Sequence, residues 1–226
     1  MRNPVVYLMR LLAATSIAVV FVPCFSHAAS GAKYGGEFIA IGVGGRALGM
    51  GGAYSALAND VTAGYWNPAG LSKLLYPQII LMHDERFGGL INYDYGAAAI
   101  PLGTNASLAF STIRLGVDDI ANTTGAWNDL NHNGIPEDIE IDRSKISYYN
   151  SADWAFYFSY ARKSNEKFSY GANLKLIRRE QGEGSATGIG FDIGAQYQVS
   201  DKFAIGANLQ DATTTLVAWS TGTNDL

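Results

Sequence analysis

The dodecamer Asp129–Glu140, "DLNHNGIPEDIE", spaces oxygen-bearing side chains in the way a divalent-cation loop does. Asp129, Asn131 and Asn133 stand at positions one, three and five, Gly134 at six permits the sharp turn, and Ile135 at seven offers its carbonyl. Glu137 at nine is a direct or water-mediated ligand, and Glu140 at twelve closes the shell with two oxygens. Hard oxygens in this order suit calcium. Pro136 at position eight has no amide with which paired loops could join, and no amphipathic helix flanks the stretch. Two readings stand: a solitary calcium staple, or an acidic solvated loop. Residues 115–142 carry Asp118, Asp119, Asp129, Glu137, Asp138, Glu140 and Asp142 with no lysine or arginine, a pattern common to both.

Nucleophilic or zinc chemistry has little to draw on. Of the three histidines, His27 falls in an apolar leader, His132 lies inside the acidic loop, and His83 stands beside Asp84 and Glu85. An acyl-transfer site on an outer rim would have to use His83, and a lone rim histidine is more often a surface residue. The chain is therefore not expected to be an enzyme.

What must position the loop begins after the leader. Arg2 and Arg10 precede the apolar run Leu11–Val22, and "SHA" at 26–28 supplies small residues for cleavage, so residues 1–28 read as a secretory signal peptide. The run is short of the ~20 residues a membrane helix needs. The single cysteine, Cys24, lies within residues 1–28, which leaves the mature chain without disulfides. Beyond residue 28 there are 14 basic and 20 acidic side chains, a net charge of −6 that excludes a nucleic-acid footprint.

From Pro77 onward the hydrophobic period is two. In "KFSYGANLKLI" the apolar face is Phe168, Tyr170, Ala172, Leu174 and Leu176, against Ser169, Gly171, Asn173 and Lys175. "TGIGFDIGAQYQV" sets Ile189, Phe191, Ile193, Ala195, Tyr197 and Val199 against glycines, Asp192 and Gln196, and "KFAIGANLQ" repeats the scheme. Strands are expected at 77–84, 91–100, 105–114, 153–161, 167–178, 187–199 and 202–210, with "WSTGTNDL" as a polar loop. A soluble sandwich also alternates, but strands this long approach what a tilted strand needs to cross a bilayer. Tight turns at 101–104, 162–167 and 200–201 would exchange with longer connections at 84–90, 116–152 and 179–185, the loop pattern of an outer-membrane barrel. Trp154, Phe156, Phe158 and Tyr160 share one face, as an aromatic girdle or as an ordinary core. Seven strands is an odd number, so the chain reads as about the N-terminal half of a larger barrel.

Residues 29–76 are glycine-rich and only weakly periodic, and are expected inside the barrel or across its periplasmic mouth. Gly42, Gly44 and Ala47 give the spacing of a dinucleotide fingerprint, but Gly49, Gly51 and Gly52 fall where its helix should run. In "YWNPAG", Pro68 biases Asn67 away from helix, Asn67 can close a local turn, and Gly70 frees the exit. The stretch reads as a tight turn or as the rigid part of a plug.

"RALGMGGAYSALANDVTAGYWNPAGL" resembles the N-terminal signature of the PorV/PorQ family, grouped with FadL-like outer-membrane transporters. "GVDDIANTTGAW" and "ANLQDATTT" are similar to stretches of the same family. The resemblance implies an all-β transmembrane antiparallel barrel of about 14 strands. It implies a plug or hatch carrying Asn67, Pro68, Ala69 and Gly70, and a place in the bacterial outer membrane. It implies one of two functions: passive transport of hydrophobic or amphipathic compounds, or a type IX secretion-associated barrel that binds exported cargo proteins. Expected partners are membrane lipid and either a hydrophobic ligand or secreted cargo; the expected cofactor is calcium alone, in the 129–140 loop.

Overall fold

A computed structural model describes residues 36–130, 132–135, 137–182, 184–212 and 216–221. The leader expected over residues 1–28 lies outside them. Strands β1 (Gln78–Arg86), β2 (Ile91–Leu102), β3 (Ala106–Asn122), β4 (Ser147–Lys163), β5 (Phe168–Gln181), β6 (Gly184–Ser200) and β7 (Phe203–Leu209) form one antiparallel sheet in chain order. The sheet curls into a half-barrel. Before it come a 3-10 turn (Glu37–Ile41), the short helices α1 (Gly45–Gly49) and α2 (Ala63–Trp66), and a second 3-10 turn (Pro68–Lys73).

Several strands outrun the expected ones. β3, β4 and β6 each extend over 17 residues. The connection expected over 116–152 is therefore shorter, because β3 continues through a bulge between Val117 and Ile120 and pairs Ile120 with Tyr149 and Asn122 with Ser147. Asp119 sits in the bulge with φ 56° and donates its amide to Asn150 Oδ1. The paired aspartates broke the alternation in sequence, while the bulge absorbs them in space. Likewise β1 and β2 meet at a tight turn over 87–90, and Gln181 pairs with Gly184. Only one long loop remains on that rim among the described residues.

A second difference lies at the end. Leu216–Thr221, expected as loop and polar tail, forms β8, which pairs with β6 beyond β7. Leu209 faces Ile193 and Leu216 faces Ile189, so four positions along β6 are matched by seven along its neighbour. β7 and β8 thus make one edge strand interrupted at residues 210–215.

On β5 and β6 the polar face of the sheet is buried and the apolar face is exposed. Asn173, Lys175, Asp192 and Gln196 are 1–2 % exposed, whereas Phe158 on β4 is 49 % and Ile193 on β6 is 57 % exposed. Phe110, Phe156 and Trp154 stack along the outer face, and Phe158 tilts against Phe110. The inner face of β2 and β3 is different: Tyr93, Tyr95, Ala97 and Ile113 pack with Phe38, Val43, Tyr54, Tyr65 and Leu71 into the one apolar core found among the described residues. The concave side therefore holds the N-terminal segment by apolar burial at one end and by polar side chains at the other.

Candidate functional site

The junction between the N-terminal segment and the inner wall is built around Asn67. Its backbone is extended (φ −166°, ψ 103°), as the residue before a proline prefers, and Pro68 opens the following 3-10 turn. Asn67 Oδ1 accepts from the amide of Ala69 at 3.1 Å, which closes the local turn. The other end of the same amide leaves the turn altogether. Nδ2 donates to Ser55 O (2.9 Å) within the segment, to Ala195 O (3.1 Å) on β6 and to Ala207 O (3.3 Å) on β7. One side chain so joins the turn to the sheet.

Four carboxamides of the wall reach back. Asn173 Nδ2 donates to Gly64 O at 2.7 Å, Asn208 Nδ2 to Trp66 O at 3.0 Å and Gln210 Nε2 to Tyr65 O at 3.5 Å. These are carbonyls at the end of α2 that a helix cannot satisfy itself. Gln196 Nε2 donates to Ser55 O (2.9 Å) and Ala58 O (3.0 Å). Glycines make the approach close enough: a Cβ on Gly171 would stand 2.6 Å from the Pro68 carbonyl carbon, and one on Gly194 would run into Asn67 and Pro68. Gly70 serves the same end, because a Cβ there would meet the Ala58 carbonyl. Its role is close approach rather than the freer turn expected of it.

The far side of the segment is tied by charge. Tyr54 donates to Asp60 Oδ2 (2.9 Å), and Arg46 donates to Tyr54 (3.2 Å) and to Asn59 (3.0 Å). Burial, with Asp60 adding to it, pushes the Tyr54 phenol up to about 12, so it remains a donor across the physiological range. No protein-family model and no curated protein matches this chain.

Beneath the interrupted edge lies a charge cluster that sequence reasoning missed. Lys175 Nζ stands 2.8 Å from Asp192 and 2.5 Å from Asp211, all three side chains being largely removed from water. Asp192 also accepts from Asn173 Nδ2 (3.0 Å) and from the Asp211 amide (2.9 Å). Asp211 reaches it because its φ of 52° turns the chain inward where β7 stops. The signal was present in sequence as ionisable residues in mid-strand on the polar face, which are costly unless paired. A second inner pair, Arg179 and Asp153, is bidentate at 3.0 and 2.7 Å.

The acidic loop is organised around its own amides. Asp129 accepts from Asn133 N (3.1 Å) and Gly134 N (3.0 Å), and Asn133 Oδ1 from Ile135 N (2.7 Å). Gly134 has φ 73°. Glu140, 3 % exposed, accepts from Leu130 N (3.1 Å) and Trp127 Nε1 (3.2 Å), and Glu137 Oε1 accepts from Asn133 Nδ2 (3.3 Å). Asn131 and Pro136 lie outside the described residues. Among the described residues no His/Cys/Asp/Glu cluster of metal-holding geometry occurs.

The remaining candidates fall elsewhere. His83 sits on the outer face, 2.6 Å from Asp94 and 3.4 Å from Glu85, and in register it begins a row of directly paired residues, His83–Asp94–Arg114–Trp154–Arg178–Thr187, that crosses six strands. Gly42 and Gly44 do have positive φ, but a 3-10 turn rather than a strand leads into them and the helix that follows spans five residues. The dinucleotide context is not met.

Proposed function

We propose that this chain is part of an outer-membrane β-barrel of PorV/PorQ type through which hydrophobic or amphipathic compounds pass, with Glu37–Lys73 as the plug in its bore. The observation that carries this reading is the burial of the sheet: large apolar side chains stand exposed on the outer face, while on β5 and β6 the amides and charges are buried inside. In water such a face would be an exposed apolar patch far beyond what a soluble monomer tolerates. In lipid it is the required surface. The apolar stretch Ile189–Val199 on β6 is ~34 Å along the strand, or roughly 26 Å across at the usual tilt, close to the band height of such barrels. The charged row from His83 to Arg178 borders the band on one side. A shallow outer hollow of about 570 Å³, lined by Ile100, Leu108, Phe110, Phe158, Leu174 and Phe191, suits an acyl chain.

The plug reading draws on how the segment is held. Side-chain amides fasten it to β5, β6 and β7 and an apolar core fastens it to β2 and β3, so a passage opens more cheaply on the amide side, at the cost of hydrogen bonds rather than of apolar burial. The chain is expected to sediment with the outer envelope, to need detergent for extraction, and in liposomes to speed uptake of a fluorescent fatty acid over protein-free vesicles. Solubility without detergent would sink the reading. Co-purification with exported proteins and no uptake would instead favour the secretion-associated alternative.

For the 129–140 loop the proposed ligand is calcium. Asp129, Asn131, Asn133, Glu137 and Glu140 provide hard oxygens at the spacing of such a loop, with the Ile135 carbonyl completing the set. Calcium added to the metal-free protein is expected to give a saturable heat in calorimetric titration, lost in Asp129→Ala. Heat that is absent, or unchanged by that substitution, refutes the assignment.

A further inference from the structure

At the rim of short turns, opposite the acidic loop, a pocket of about 140 Å³ lies between the end of the N-terminal segment and the β4–β5 turn. Its walls carry three lysines: Lys73 from the second 3-10 turn, and Lys163 and Lys167 from either side of the turn. Lys163 is engaged by Glu166 at 3.0 Å. Neither Lys73 nor Lys167, both exposed, meets a carboxylate among the described residues, and partial burial lowers the ammonium pKa of Lys73. Arg162 and Lys202 stand on the same rim, with Asp201 and Glu166 as its acids. The positive potential is local, in a chain whose net charge is negative.

The floor of the pocket adds a different requirement. Gln196 is 2 % exposed, and its Nε2 is committed to two carbonyls of the segment, so the amide cannot be turned round. Its Oε1 is buried with no partner. A buried acceptor left unpaired costs about 1–3 kcal/mol, and a donor from a bound group would remove that cost. The lysines ask for an anion, while Gln196 asks for an O–H or N–H beside it.

We propose that this pocket binds a phosphate group that carries a hydrogen-bond donor, its oxyanion between Lys73 and Lys167 and its donor toward Gln196. Two sources share that chemistry. One is the head group of a phospholipid such as phosphatidylglycerol, whose chains would descend the outer face past Phe168 and Tyr170, which lie against each other at 6.3 Å next to the pocket. The other is free hydrogen phosphate. The lipid source rests on the membrane reading, whereas the oxyanion site does not.

Native mass spectrometry of the full chain in detergent separates these cases, with dihexanoyl phosphatidylglycerol, dihexanoyl phosphatidylcholine and inorganic phosphate as probes. Phosphatidylglycerol is expected to bind, phosphatidylcholine, whose head lacks a donor, to bind much less, and the double variant K73Q/K167Q to lose about tenfold or more in affinity, the size of a lost charge-assisted hydrogen bond. R143Q/K145Q removes the same charge from the opposite rim and is expected to bind like the parent. Inorganic phosphate binding as tightly as the lipid, with the same loss in K73Q/K167Q, also supports the site and assigns its source to the soluble ion. Absence of binding by both phosphate probes, equal binding of the two lipids, or an unaltered K73Q/K167Q overturns it. A protein that proves water-soluble yet binds phosphate through Lys73 and Lys167 would remove the membrane reading and leave this one standing.

Discussion

Lys175→Met is expected to lower the stability of the folded chain by about 3–5 kcal/mol, the usual cost of removing one partner from a buried ion pair. The ammonium lies between Asp192 and Asp211, and both carboxylates would stay in place without a counter-charge. The loss should be local first. Asp211 is where the edge strand breaks, and β8 is held to β6 by backbone pairing just beyond it. Amide exchange in Leu216–Thr221 is therefore expected to quicken before that of β4 or β5. The triple variant K175M/D192N/D211N, which removes all three charges, is expected to regain most of the stability. Urea unfolding in detergent, followed by tryptophan fluorescence, measures each case. A K175M protein within ~0.5 kcal/mol of the parent would mean that water reaches the cluster and that it does not hold the break.

Gly194→Ala is the second large effect, expected to destabilise by about 3 kcal/mol, at the upper end of the overpacking range. The added methyl meets Asn67 Oδ1 and the Pro68 ring, and neither can retreat. Asn67 is held by bonds to Ala69, Ser55, β6 and β7, and Pro68 is fixed by its own ring. The expected response is release of the turn from the wall, read as new protease cleavage near residues 55–70 while the sheet persists. Gly96→Ala is the control. Its Cβ would rest 3.5 Å from Leu81 Cδ2 on the outer face, an ordinary contact, and its effect should stay within about 1 kcal/mol. Equal losses at the two glycines would show that strand propensity, not the contact with Asn67, is being measured.

The two substitutions differ in how far sequence could anticipate them. Glycines were visible in sequence on the polar faces of β5 to β7. Which glycine meets which residue was not, because Gly194 and Asn67 are 127 positions apart and no local rule couples them. Lys175 and Asp192 were visible as charges in mid-strand. Asp211 was not recognisable as their partner, since its inward turn depends on the interruption of an edge strand that sequence reads as a strand end followed by loop.

The acidic loop shows the same division. Spacing alone picked out Asp129, Asn131, Asn133, Ile135, Glu137 and Glu140 as one unit; in the structure Asp129 and Asn133 accept from amides of one turn, while Glu137 and Glu140 belong to the next. Spacing could not say that Glu140 would face inward to the amide of Leu130 and the indole of Trp127, which is set by the bridge between Trp127 and Ile141. Loop lengths were misread for a related reason. Composition reports where the apolar alternation ends, whereas backbone pairing continues past it, through residues 115–122 on β3, 147–152 on β4 and 179–181 on β5.

By itself, then, the sequence determined what is periodic and local: long antiparallel strands with one apolar face, a glycine-rich segment unlike them, a turn at Asn67–Gly70 and an acidic loop. Tertiary structure alone decided how the segment is held, that carboxamides of the wall satisfy its stranded carbonyls, and that Lys175 joins two aspartates beneath a broken edge. The reason is range. Side-chain alternation and turn chemistry act over a few residues, but burial, desolvation and hydrogen-bond satisfaction depend on groups that only the curled sheet brings together.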